Sequence, residues 1–89
     1  MKIKKGFVLE KVGDSYLACA TGKLASNFAG FVRMNETGAF LWRELDREDM
    51  SESELSARLV AEYEVDEKLA ANDVAAFLKK LSEHGIIEG

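Results

Sequence analysis

"FVRMNETGAFLW", residues 31–42, changes within twelve residues from the spacing of a strand to that of a helix. In Phe31–Met34, Val32 and Met34 share one face and Phe31 and Arg33 the other, which is the period of a strand. From Asn35 onward, Phe40, Leu41 and Leu45 recur at helical spacing with Trp42 alongside. Asn35 is placed to cap the helix, its side-chain oxygen accepting from the amides near Thr37 and Gly38. Strand and helix directions are then coupled as one rigid unit. Gly38 falls in the first turn, although glycine in a helix interior costs on the order of 1 kcal/mol relative to alanine. Two explanations stand. Either the first turn frays and the cost is small, or a side chain there would obstruct close packing of the sheet on the helix.

Before this junction, "GFVLEKVGDSYLACA" holds two runs rich in Val, Leu, Tyr and Phe around Gly13-Asp14. The pattern predicts antiparallel strands at about residues 7–12 and 15–20 joined by a tight hairpin, although the favoured dipeptide order is Asp-Gly. "TGKLASNFAG", residues 21–30, has no sustained period and predicts a loop leading to the third strand.

After the junction, Ser51 with Glu54 forms a capping-box signature, followed by Leu55, Leu59, Val60 and Tyr63 at helical spacing. A third helix is capped by Asp66 and carries an apolar arc of Ala70, Val74, Phe77, Leu78 and Leu81. Gly85 is its expected C′ residue, after which Ile86-Ile87 returns to the core. Strand, strand, strand, helix, helix, helix defines an α+β fold: a three-stranded antiparallel sheet followed by three helices, winged helix-turn-helix-like.

The chain has 89 residues, 47% hydrophobic composition and no proline, the size of one small domain spanning 1–89. One cysteine, Cys19, excludes an intrachain disulfide, and no Cys/His cluster is spaced to hold a zinc. Glu10, Lys11 and Asp14 interrupt any signal-peptide run, and no segment approaches the roughly 18 apolar residues of a membrane span. The expectation is a soluble, cytoplasmic protein without a cofactor. Net charge is −4, divided as +4 over residues 1–34 and −8 over 35–89. An acidic helical half is a poor surface for phosphate backbones.

"NETGAFLW", "VAEYEVD" and "DVAAFLKKLSEHGII" together resemble the PqqD-like proteins, named for coenzyme PQQ synthesis protein D. These are RiPP recognition elements, small peptide-recognition domains serving ribosomally made, post-translationally modified peptides. The resemblance runs from the Phe7 strand to Ile87. It implies a winged-helix-like fold without catalysis, in which the leader of a precursor peptide adds as a strand to the third strand and lies against the third helix. The domain then presents that peptide to a modifying enzyme, often a radical S-adenosylmethionine protein.

The residues support such a site independently. A short strand followed at once by a helix leaves backbone groups unpaired on one side, the setting for β-augmentation. Carried onto this sequence, one wall is Phe31, Val32, Arg33 and Met34. The other is Asp73, Phe77 and Lys80 of the third helix, with Leu69 and Ala76 widening an apolar floor. Proline at Val32 is expected to weaken binding if that amide faces the ligand.

Cys19 reads as a small buried side chain rather than a nucleophile. His84 reads as a helix-end residue favoured by the dipole, and Trp42 as core. No phosphate loop or nucleophile-base pair stands out, so the expectation is not an enzyme. The alternatives are a DNA-binding winged helix and a structural module whose free edge pairs two copies into a homodimer.

Overall fold

The computed structural model describes residues 1–21 and 31–88. In chain order its elements are β1 (Lys2–Ile3), β2 (Phe7–Val12), β3 (Ser15–Ala20), β4 (Phe31–Met34), α1 (Glu36–Arg47), α2 (Glu52–Tyr63), α3 (Glu67–Glu83) and β5 (Ile87–Glu88). Strands β2, β3 and β4 form an antiparallel sheet in that order, as the sequence pattern predicts. The predicted loop over 21–30 lies, apart from Thr21, outside the described residues.

The hairpin between β2 and β3 closes on the pair Val12 and Ser15. Gly13 has φ +63°, whereas Asp14 is not in the left-handed region. Positive φ at the first central position alone is the type II′ pattern, which requires Gly first. The order Gly-Asp is therefore the right one for this turn.

Register aligns Leu9, Ala18 and Val32 across the three strands, on the face that packs on the helices. Ala18 is fully buried in the middle of that row, and its small side chain lets the helical layer approach. Leu41, Trp42 and Leu45 of α1, Leu55 and Leu59 of α2, and Ala70, Val74, Phe77, Leu78 and Leu81 of α3 complete the core. Tyr63, read as part of the α2 stripe, is exposed and meets Phe40 edge-on, with ring centroids 5.6 Å apart.

Each helix starts on the cap its sequence offers. Asn35 accepts from the Gly38 amide at 2.9 Å, and Asp66 accepts from Lys68 and Leu69 at 3.0 and 3.3 Å. Ser51 and Glu54 form both halves of the capping box, at 3.0 and 3.2 Å. These contacts with Ser51 hold the Glu54 carboxyl below the usual glutamate range. Helix α3 ends on Gly85 at φ +69°, with Gly85 N–H donating to Ser82 and Ile86 N–H to Leu81, a Schellman motif.

That motif turns Ile86 into the core and launches β5, which pairs antiparallel with β1 through Lys2 with Glu88 and Ile3 with Ile87. Sequence reasoning brings Ile86-Ile87 back to the core but does not anticipate this second sheet. Strands of two residues are too short to show a period. On the far side, Arg58 of α2 bridges Glu44 and Glu48 at 3.0 and 2.9 Å, tying α2 to α1 and to the residue that follows it.

Two measurements check the junction that decides the fold. Asn35→Ala removes the acceptor for Gly38 N–H and should cost about 1 kcal/mol in denaturant unfolding. Gly38 is buried, and a Cβ on it would lie 3.0 Å from the Met34 Cβ. That atom is fixed to the β4 backbone, so strand and helix would have to separate to admit it. Close packing, rather than fraying, accounts for the glycine. Gly38→Ala should therefore fail to give the stabilisation of about 1 kcal/mol that the exchange gives in an open helix, and urea unfolding should find it no more stable than the parent.

Candidate functional site

Strand β4 has β3 as its one neighbour among the described residues, which leave its other edge open. The phase of that edge follows from one hydrogen bond. Lys80 Nζ, reaching across from α3, donates to the backbone carbonyl of Arg33, which must then point away from β3. Inward- and outward-facing residues alternate along an antiparallel strand. Phe31 and Arg33 therefore turn their amides and carbonyls to the open edge, whereas Val32 and Met34 turn theirs to Ala18 and Tyr16.

Beside this edge lies a groove of about 480 Å³ between β4, the start of α1 and α3. Residues 73, 76, 77 and 80 share one helical face, and α3 presents all four to the groove. Met34, Gly38, Leu41, Ala76 and Phe77 supply its apolar lining, and Arg33, Lys80, Asp73 and Asp14 its charges.

The structure brings together Arg33, Met34, Asp73, Ala76, Phe77 and Lys80 of the expected site residues. Three stand apart. Phe31 is 53% exposed on the sheet face opposite Val32, and Leu69 is 50% exposed a turn before Asp73 on α3. Val32 is 2% exposed and its amide faces β3, so a proline there would break the sheet rather than test the edge. Arg33 is the position for that test. Phe77 is 8% exposed, as much a core residue as a groove residue.

Sequence reasoning misses Asp14, Ser15, Asn35, Thr37, Gly38 and Leu41 as lining residues. Counting register back from the Gly13-Asp14 turn would find the first two, since Tyr16 pairs with Met34 and the hairpin end therefore lies beside Asn35. His84, at the end of α3, has Nδ1 2.8 Å from the Lys80 carbonyl. Since a carbonyl only accepts, the ring donates there and satisfies a helix-end acceptor. Among the described residues no group of His, Cys, Asp and Glu is arranged to hold a metal ion.

A sheet-and-three-helix fold with an open edge strand beside an apolar-floored groove is built as a recognition module, with backbone donors and acceptors on one wall and side chains on the other. Residues 24–87 match the family described as coenzyme PQQ synthesis protein D, PqqD, and the chain belongs to that family of RiPP recognition elements, which are non-catalytic. Among solved structures it is similar to TbiB1 in complex with the TbiA(beta) leader peptide, at 24% identity and a TM-score of 0.75, covering 100% of this chain and 96% of that one. It is also similar to a lasso peptide synthetase B1 complexed with the leader peptide, at 20% identity and a TM-score of 0.71, covering 99% and 96%. At these identities the likeness establishes the fold. No curated protein matches the sequence.

Proposed function

We propose that the protein binds the leader segment of a ribosomally synthesised precursor peptide as an added strand on β4, against α3, and presents it to a modifying enzyme. The observation that carries this reading is the outward backbone of Phe31 and Arg33 beside the groove. Backbone pairing would hold the leader, and the groove of Met34, Leu41, Ala76 and Phe77 would choose its side chains. Phe31 and Leu69, exposed at the margins, extend the apolar contact along the leader. Burying a large apolar side chain is worth about 1.5–3 kcal/mol and an exposed ion pair about 0–1 kcal/mol. The leader should accordingly carry closely spaced Leu, Ile, Val or Phe.

Family membership supports a radical S-adenosylmethionine enzyme as the recipient. The likeness to a lasso peptide synthetase B1 supports a second reading, in which the recipient belongs to lasso-peptide maturation. The acidic helical half favours neither nucleic acid nor an anionic membrane as partner.

Calorimetric titration with the leader of a short precursor peptide sought in the neighbouring reading frames tests the reading. Binding is expected at 50 mM salt with only a slight loss at 500 mM. No binding, or binding that salt abolishes and random duplex DNA reproduces, would contradict it.

A further inference from the structure

The helices pack on one face of the β2–β3–β4 sheet, and register fixes what the other face carries. One row crosses it as Val8, Cys19 and Phe31, and the next as Glu10, Leu17 and Arg33. Val8 is 40% exposed, Phe31 53%, and Val12, two residues beyond Glu10 on β2, 55%. Leu17 and Cys19, on the strand between, are half-buried. Apolar residues exposed singly are ordinary, but these are contiguous across three strands.

The charges of this face stand at its two margins, Glu10 on β2 and Arg33 on β4, with Leu17 between them. Two strand spacings, about 9.5 Å, hold them apart. Neither has an ion pair among the described residues, whose pairs join Met1 with Asp49, and Arg47 and Arg58 with Glu44 and Glu48. The pattern is self-complementary. When a second copy is turned over about an axis along β3, its β4 lies across this β2 and its β2 across this β4. Each Glu10 then meets the other copy's Arg33, each Phe31 meets the other's Val8, and Leu17 and Cys19 meet their own counterparts on the axis. An axis across the strands would instead set Glu10 against Glu10 and Arg33 against Arg33. The charges therefore favour one flip and oppose the other.

We propose that the outer sheet face is a docking surface for a second copy of this chain, packed sheet on sheet about a two-fold axis along β3. Facing sheets pack about 10 Å apart, near enough for Glu10 and Arg33 to bridge at the rim while the apolar row excludes water. A face of three strands and six residues covers only about 300 Å², against about 800 Å² per partner in a standard interface. The dimer should accordingly be weak. It leaves the groove, on the helical side of β4, uncovered, and it does not depend on what that groove binds.

Sedimentation velocity of the full chain tests the proposal, in reductant so that Cys19 cannot link copies covalently. A monomer–dimer equilibrium should appear between about 10 μM and about 1 mM. Glu10→Arg and Arg33→Glu each set like charges opposite one another and should weaken self-association about tenfold. Mixed in equal amounts, the two variants should associate with each other as the parent does with itself, because the paired reversals restore both ion pairs. Phe31→Ser removes the apolar contact and no charge, and should weaken association without rescue by either reversal. Thermal melts of all three variants should match the parent, since the substituted side chains are exposed. A parent that stays monomeric at about 1 mM would overturn the proposal. So would reversals that associate as the parent does, or a mixture as monomeric as its separate components. Association that survives both reversals and is lost in Arg33→Pro would place it on the β4 edge and equally overturn the sheet-face dimer.

Discussion

Trp42→Ala should cost about 3–5 kcal/mol of unfolding free energy, most of the reserve that a chain of 89 residues holds. Trp42 is 2% exposed and heads the largest fully buried side chains. It stands on α1 with Leu41 and Leu45, in a core that joins both sheets to all three helices. Removing the indole leaves a cavity that the neighbouring elements cannot close without moving β4 and the groove with it. Few interactions offset such a loss, because the described residues contain no disulfide or metal cluster. Thermal and urea unfolding should find the variant largely unfolded near room temperature or melting far below the parent. A parent-like melt would show that the core does not depend on α1.

Arg33→Pro should leave the fold intact and weaken leader binding about five- to hundredfold. The Arg33 amide faces the open edge, so proline there removes no bond to β3, and edge positions of this kind are where strands tolerate it. Its ring fixes φ near the strand range and restricts Val32 to the extended backbone it already has. The incoming strand would lose its donor and leave an acceptor unpaired, a cost of about 1–3 kcal/mol. Arg33→Ala separates the charge from the amide and should bind far better than Arg33→Pro. Equal affinities for the two variants would mean that the backbone of β4 plays no part.

The elements most legible in the sequence are those whose signals are local. Alternation in Phe31–Met34, the cap at Asn35, the Ser51–Glu54 box and the Gly85 stop each lie within a few residues of the structure they specify. The α3 arc is equally plain, because a helix of 17 residues gives its period time to show. What the sequence conceals is long-range. The β1–β5 pair joins residues more than eighty positions apart through strands of two residues each. Which β4 amides face outward depends on pairing with β3, and side-chain alternation alone leaves that undecided. The contact of Lys80 with the Arg33 carbonyl arises only when α3 is set beside β4, so the sequence shows a basic residue on a helix border and nothing of its partner.

Residue-resolved amide hydrogen exchange, with and without the leader peptide, tests strand addition most directly. In the free protein Val32 and Met34 should exchange slowly, bonded to β3, and Phe31 and Arg33 quickly. The leader should slow Phe31 and Arg33 about tenfold or more as those amides gain partners. Leader binding that leaves both amides exchanging at their free rates, with protection appearing instead on α2 or the outer face of the sheet, would contradict the account.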